Sequence, residues 1–452
     1  MKIVVVGAGL SGLTAAYRLK RAGHEVHVLE RDHRPGGRCA TVRRDGFIID
    51  TGPEVVAGSY THYLRLVQDV GLGDRVVPSS PVVGTVRNGR VIDTDTTKTV
   101  GLAFTPLLSW GAKVRLVAGL RKVWKVASTL DAYAMADFAE HDDPHVTAEE
   151  KSRSLFGAEV TDYLIDPLVR MIGGTGPKGI SQLLMLGGLN SWSSALCNLL
   201  GGLDVLPHAL ARALDVSYGV RVSHVREAAD GVNVTYVDGD GLQHQRQADR
   251  CVLACRLEDG ANVSPFVAEV ARKYLSELKA ARLIDVKVAY AAPTRSKAFA
   301  CQVPSIENRE LLMYALTHNK APDRAPPNHS LFTLYTDDGV FDELAPQSDD
   351  ELITWARAQM ERLYPEVKNR FLFGHVGRYA RAGYLATPGY FQRTAQLIAS
   401  LPQDGRIQIA GDVFGAGSME AAVLWGERAA RNIVTPAQAP GERAPEVSRP
   451  AA

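Results

Sequence analysis

Cysteine is scarce in this chain, opposite charges nearly cancel, and long hydrophobic runs are missing. The five cysteines, at 39, 197, 251, 255 and 301, are odd in number and lack paired metal-ligand spacing. They offer neither a disulfide framework nor a zinc site. Cys251 and Cys255 straddle the end of an apolar strand and read as buried filler. A formal net charge of +1 argues against dedicated nucleic-acid binding. No stretch approaches the roughly 18 consecutive apolar residues of a membrane-spanning helix, and no signal peptide precedes the first strand. A cytoplasmic protein, soluble or peripheral to a membrane, is the expectation. Internal repeats, a nucleophile elbow and a His-containing triad are also missing. His224 and His375 sit in no motif and read as structural.

The strongest positive signal opens the chain. Ile3–Val6 is a β-branched run suited to a parallel strand buried on both faces. Gly7, Gly9 and Gly12 follow in G-x-G-x-x-G spacing, with Leu10 and Ser11 between them. The first glycine permits a tight turn, the second lets a pyrophosphate approach the backbone, and the third lets the helix close on the strand. Leu13, Ala16 and Leu19 continue at helical spacing, and Gly23 supplies the stop. Val26–Leu29 is a second strand, ended by Glu30, where a carboxylate accepts hydrogen bonds from ribose hydroxyls. Arg31 is either a 2′-phosphate contact or a solvated arginine. Arg34-Pro-Gly-Gly-Arg38 then offers the amides of Gly36 and Gly37 and a guanidinium to a diphosphate. Alone that segment could be an ordinary turn; directly after the second strand it favours flavin over nicotinamide.

The far end of the chain reads as the other half of one site. Arg406–Ala410 is a short apolar strand ended by Gly411-Asp412, and Gly415–Ser418 opens a helix running through Ala421, Leu424, Ala429 and Ile433. Free amides at a helix N-terminus, with the macrodipole behind them, stabilise negative charge such as that of a reduced flavin. A well-capped terminal helix is the plainer reading of this segment by itself.

Residues 3–56, including Asp45–Pro53, resemble the N-terminus of the flavin amine oxidase superfamily. That group includes monoamine and polyamine oxidases, protoporphyrinogen oxidases and phytoene-type desaturases. Gly52-Pro53 is closer to the protoporphyrinogen oxidase form, and Asp162–Ser181 and Gly201-Gly202-Leu203 with Leu206-Pro207 are similar to segments of that branch. The resemblance implies an α/β fold. A Rossmann-type, glutathione reductase-like FAD-binding domain would use 1–80, 200–275 and 386–434. A discontinuous α+β substrate-binding domain would use 81–199 and 276–385, and 435–452 would be a disordered tail.

The resemblance further implies non-covalent FAD, since no cysteine lies in Arg378–Gln392 where some monoamine oxidases attach flavin. Beyond the residues already named, Gly52, Pro53 and Glu54 would contact the cofactor. Val225, in the hairpin-rich stretch Gly219–Ala254, would meet the adenine end. Asp412 would contact the ribityl or phosphate portion, and the amides around Ser418-Met419 would face the pyrimidine edge. The lysine that many amine oxidases place near N5 aligns with Asp285, and Lys287 lies two residues on. Strand alternation puts the two on one face, either as a flavin-linked charge or base or as a surface pair on an exposed face. The second aromatic of the amine oxidase cage falls at Ser418, so that cage is not intact. Tyr379, Tyr384, Tyr390 and Trp425 are cavity or core aromatics. Asp285, Lys287 and Tyr390 are the candidate catalytic residues.

The expected reaction is hydride transfer from a lipophilic or aromatic C–H donor to flavin N5, with oxygen or another acceptor reoxidising the cofactor. An amine oxidase forming imine and hydrogen peroxide, a non-redox flavin isomerase and a cofactor-retaining scaffold are the alternatives. Trp110–Ala127 is basic and amphipathic, with Leu116, Leu120, Val123 and Ala127 on one face and Trp110, Val114, Val117 and Trp124 alongside. It reads either as a peripheral membrane contact or, preferred here, as a helix covering the substrate domain with its lysines in water.

Overall fold

The computed structural model of the chain describes residues 1–95, 105–191, 195–415 and 417–434. The expected tail, 435–452, lies outside the described residues. The β-branched opening forms the strand Lys2–Val6, whose Ile3, Val4 and Val5 are almost fully buried. It lies at the centre of a five-stranded parallel sheet ordered 215–217, 25–29, 2–6, 250–253 and 407–409. First and last strands of the chain thus share one Rossmann-like sheet.

Between the sheet ends, the helix Leu10–Arg21 packs against the final helix, Met419–Val434. Their contact is backbone-close: a Cβ placed on Gly426 would stand 2.4 Å from the Ser11 carbonyl oxygen. Helices approach this closely only where a side chain is absent. Beside the sheet, Arg221–Ala228, Gly231–Val237 and Gln243–Ala248 form the expected antiparallel hairpins.

A second sheet of seven strands runs in the order 371–384, 280–290, 330–336, 311–316, 300–302, 82–87 and 90–95. All its pairings are antiparallel except that of Ala300–Gln302 with Val82–Arg87. Strand alternation divides its two faces. Ile284, Val286, Val288 and Tyr290 join Leu352, Ala356 and Met360 of the helix Asp349–Leu363 in one core. On the other face, Ala289, Leu331 and Phe373 meet Phe47 and Ile49 from the first unit. Asp285 and Lys287 share that second face, which turns inward.

The strand Leu196–Leu199, expected in the substrate-binding piece, pairs with Val56–Ala57 and Val76–Pro78 from the first segment. The helix Trp110–Ala127 has the expected bounds but divides its apolar surface. Ala112, Gly119, Val123 and Ala127 are buried, while Trp110, Val114, Val117 and Trp124 stand 69%, 68%, 52% and 52% exposed. The helix covers its neighbours with one stripe and turns a second apolar stripe outward. No described helix is long and apolar enough to cross a membrane.

Gly426→Ala should lower stability by about 1–3 kcal/mol, the range for overpacking a close contact. Urea unfolding checks this; an unchanged midpoint would contradict the backbone-close packing of the two terminal helices.

Candidate active site

At the opening turn the glycines are used as their spacing requires. Gly7 adopts φ +105°, and a Cβ on Gly12 would stand 2.0 Å from the Gly7 carbonyl oxygen. A Cβ on Gly9 would meet nothing within 4 Å, so the space above the turn is open. Leu10–Arg21 begins with neither a side-chain cap nor an acidic residue in its first turn. The Ser11 hydroxyl there is buried without a hydrogen-bond partner. Unpaired amides, a positive dipole end and an orphaned hydroxyl together make a site for an anion. The Glu30 carboxylate accepts from the Ala8 and Asp32 amides at 2.5 and 2.9 Å. That fixes it at the strand end, with lone pairs left for further donors. Arg31 is exposed and loosely paired with Asp259 at 3.4 Å.

The two ends of the chain meet at Arg38. Gly36 and Gly37 both take positive φ, and the Gly36 amide donates to the Ala8 carbonyl at 2.8 Å. Arg38 Nη2 then donates to Asp412 Oδ1 at 2.7 Å and Nη1 to the Ala382 carbonyl at 2.9 Å. Asp412 holds the guanidinium firmly protonated against the cost of burial. Even so, 42% of the Arg38 side chain stays open, as it must in the wall of a crevice. Gly52 crosses directly under Arg38, where a Cβ would stand 2.0 Å from the Arg38 carbonyl oxygen. Ser418 Oγ accepts from the Ala421 amide at 3.0 Å, capping the final helix, and Met419 is buried behind it. Val225 is wholly buried on the Arg221–Ala228 strand. The Gly411 and Pro53 backbones flank Asp412 and Gly52 in sequence. These donors, above all the orphaned Ser11 hydroxyl and the open guanidinium, fit a dinucleotide diphosphate with its ribose on Glu30.

Asp285 and Lys287 come together as a buried ion pair, with side chains 1% and 0% exposed. The alternative of a surface pair is therefore corrected: the face that carries them is covered by the first unit. Burial pushes the Asp285 carboxyl up, and Lys287 only partly opposes it. Outside this ion pair Lys287 Nζ has no hydrogen-bond partner. Gly377 lies opposite Asp285, where a Cβ would come within 2.5 Å of Asp285 Oδ1. Tyr379, two residues on, donates its hydroxyl to the Thr51 carbonyl at 2.5 Å, tying this sheet to the turn before Gly52.

Glu54 belongs to an adjoining buried network that single residues in the sequence did not announce. Lys320 Nζ donates to Asp50 Oδ2 at 2.7 Å and also to Glu54 Oε2. Arg324 donates to Asn198 Oδ1 and the Leu199 carbonyl at 2.9 and 2.8 Å. Burial alone would push Asp50 up, but Lys320 and Arg324 hold it below its ordinary value. The buried Tyr335 hydroxyl, unpartnered, is pushed well up by burial and then by Glu54 and Asp285.

Tyr390, one of the candidate catalytic residues, is buried. Its hydroxyl donates to the Val413 carbonyl at 2.5 Å, and its ring packs on Phe391 and Tyr274. Tyr384 bonds Glu258 beneath the Arg256 guanidinium, and Trp425 packs on Phe414. Only Tyr379 of the four aromatics joins the pair. His375, expected to be structural, stands directly opposite Lys287 and lines a cavity of about 570 Å³ together with Arg34, Arg43, Gly377 and Tyr379.

Comparison with known proteins decides the family, because the model for "Flavin containing amine oxidoreductase" matches residues 10–434. The chain belongs to the flavin-containing amine oxidoreductase family. FAD is its cofactor. Protoporphyrinogen oxidase 2 of Arabidopsis thaliana is 33% identical over 185 residues, covering 40% of this chain and 34% of that protein. Coproporphyrinogen III oxidase of Staphylococcus aureus (strain NCTC 8325 / PS 47) is 29% identical over 216 residues, covering 44% of this chain and 42% of that protein. The matched region thus spans about a third to two-fifths of these relatives. The structure of cyclohexylamine oxidase from Brevibacterium oxydans IH-35A superposes with a TM-score of 0.76 over 96% of this chain and 98% of that one, at 18% identity. That similarity shows a shared fold.

Replacing the pair as Asp285→Leu with Lys287→Met should leave the apoprotein as stable or more stable by about 1–4 kcal/mol, as for other buried ion pairs exchanged for apolar residues. Lys287→Met alone should destabilise it by leaving Asp285 without its counter-charge. Denaturant unfolding reads both, and a large loss in the double variant would make the pair a device of the fold rather than of the site.

Proposed function

We propose that this family member is an FAD-dependent oxidase or dehydrogenase acting on a lipophilic or aromatic C–H donor, in the manner of the porphyrinogen-oxidising and desaturating branches. The observation that carries this reading is the buried Asp285–Lys287 pair beside an apolar cluster. Phe299, Ala300, Leu312, Met313 and Tyr335 form that cluster, with Val55, Leu196 and Leu283 against it. An apolar cluster packed beside a buried ion pair suits a lipophilic donor. Segments 1–80, 200–275 and 386–434 hold the cofactor and 81–199 with 276–385 shape the donor cavity, the Leu196–Leu199 strand bridging the two.

When bound, FAD supplies the hydride acceptor and passes electrons on to oxygen or another acceptor. The residues of the chain do the rest. Ser11 and the amides of Gly9–Gly12 hold the diphosphate with Arg38, and Glu30 holds the ribose. Asp412 fixes Arg38, and the Ser418-Met419 amides present a positive edge. Asp285, its carboxyl raised by burial, takes the proton the donor releases, and Lys287 restrains its charge. The covered sheet face excludes water.

Ser418, standing where an amine oxidase cage has its second aromatic, disfavours the amine oxidase reading. The outward stripe of Trp110–Ala127 supports delivery of the donor from an anionic membrane surface. Its exposed Trp110 and Trp124 are rimmed by Lys113, Arg121 and Lys125, and the helix contains no acidic residue.

Anaerobic mixing of the yellow holoprotein with porphyrinogens, polyenes and amines tests the donor class. Bleaching of the flavin band by a porphyrinogen or polyene is expected; bleaching by amines alone overturns the reading. Glu30→Ala should weaken FAD retention by roughly tenfold or more, the worth of a hydrogen bond to a charged group, and unchanged affinity removes its ribose role. Vesicles containing phosphatidylserine should sediment the wild-type protein but not a Trp110→Ser/Trp124→Ser variant. Equal sedimentation of both removes the membrane contact.

A further inference from the structure

We propose that His375 is the exit of a proton path that runs from Asp285 through Lys287 to the solvent cavity on the outer side of the Phe371–Tyr384 strand. The inference rests on the reading of Asp285 as the proton acceptor and adds how that proton leaves a site closed to water.

The register of the sheet lays the path out. Gly377, Asp285 and Tyr335 form one cross-strand row, and His375, Lys287 and Thr333 form the next. Side chains directly opposite on one face have Cβ atoms about 4.5–5.5 Å apart, so His375 is the immediate neighbour of Lys287. The buried ammonium here is short of partners: outside its ion pair with Asp285, Lys287 Nζ makes no hydrogen bond. Buried groups left this way call for a function.

The wall between the pair and the cavity is one strand thick. His375, Gly377 and Tyr379 line the cavity, and at Gly377 a Cβ would collide with both the Asp285 carboxylate and the Tyr379 ring. His375 is half-buried. Burial and then Lys287 lower its proton affinity, Arg44 adds to this, and Asp349 opposes it. The cavity it faces also holds Arg34, Arg43, Arg378, His208 and Asp204. An imidazole in such company rests neutral and releases a proton readily.

The transfers balance. A proton from the donor neutralises the Asp285 carboxylate, which removes the negative charge paired with the Lys287 ammonium. Lys287 gives a proton to neutral His375 and regains one from Asp285, restoring the ion pair. His375 then releases its proton to cavity water. One proton has passed from donor to solvent, and every group has returned to its starting state.

His375 acts through Lys287, so the test must read more than turnover. In the apoprotein, NMR titration of the His375 imidazole should show its pKa raised by Lys287→Met and lowered further by Asp285→Asn. A His375 pKa unmoved by both variants overturns the path. In the holoprotein, steady-state turnover of protoporphyrinogen should slow roughly a hundredfold in His375→Ala, while the first flavin reduction, whose proton Asp285 takes, keeps its rate. Added imidazole, small enough for the cavity, should restore the rate in proportion to its concentration. A merely structural histidine would not respond to imidazole, and an unimpaired or unrescued His375→Ala enzyme defeats the proposal. His375→Gln, which preserves bulk, should remain slow. If Asp285→Ala reduces at the normal rate, the reading of Asp285 itself fails. If Asp285→Ala is slow and His375→Ala is not, only the exit path fails.

Discussion

The Arg38 guanidinium, spread between Asp412 Oδ1 and the Ala382 carbonyl, joins three parts of the chain that are remote in sequence. It follows the Gly-Gly turn bound to the opening strand, meets the end of the last strand, and reaches the long strand of the second sheet. A charge-assisted pair in a crevice is stronger than one at an open surface, and here it also sets geometry. The opening turn, the end of the last strand and the substrate sheet all meet at this one residue. The backbone contact between Gly426 and Ser11 fixes the same junction from behind. Both features leave the mouth of the first helix facing the open space above the Gly9 turn, where FAD is proposed to sit.

Around that junction the protein buries more charge than folding alone would favour. Lys320 lies between Asp50 and Glu54, Arg324 beside them, and Lys287 against Asp285, all nearly without exposure. Removing such groups from water costs several kcal/mol per ion before their mutual attraction is counted. The Asp50–Lys320–Arg324 group recovers much of that cost through well-placed hydrogen bonds, and its carboxyl is held low in consequence. The Asp285–Lys287 pair does not: its carboxyl is raised and its polar atoms lack further partners. One network behaves as structure and the other as a site under tension.

Much of this was legible in the residues. The β-branched start, the three glycines, Glu30 and the Arg34–Arg38 segment specify local geometry within a few residues of one another, so periodicity and turn chemistry suffice. The parity of Asp285 and Lys287 was legible too, because alternation within a strand is local. Which face that parity selects was not, since it depends on pairing with strands about fifty and ninety residues downstream. The same limit hid Lys320, Arg324 and Tyr335, single residues in no motif whose meaning comes from long-range contact. His375 stands in no motif, and the bond from the Tyr390 hydroxyl to the Val413 carbonyl joins residues that no local pattern connects. The helix Trp110–Ala127 shows a further limit: amphipathicity marks apolar positions but not which of two adjacent stripes finds a partner.

The central claim is that both ends of the polypeptide close on one FAD. Hydrogen exchange read by mass spectrometry, comparing apoprotein with FAD-loaded protein, tests it most directly. FAD should slow exchange together in the Gly7–Gly12 turn, the Gly36–Arg38 segment and the Asp412–Met419 segment. Protection confined to the N-terminal segments, with the C-terminal one unchanged, would contradict it.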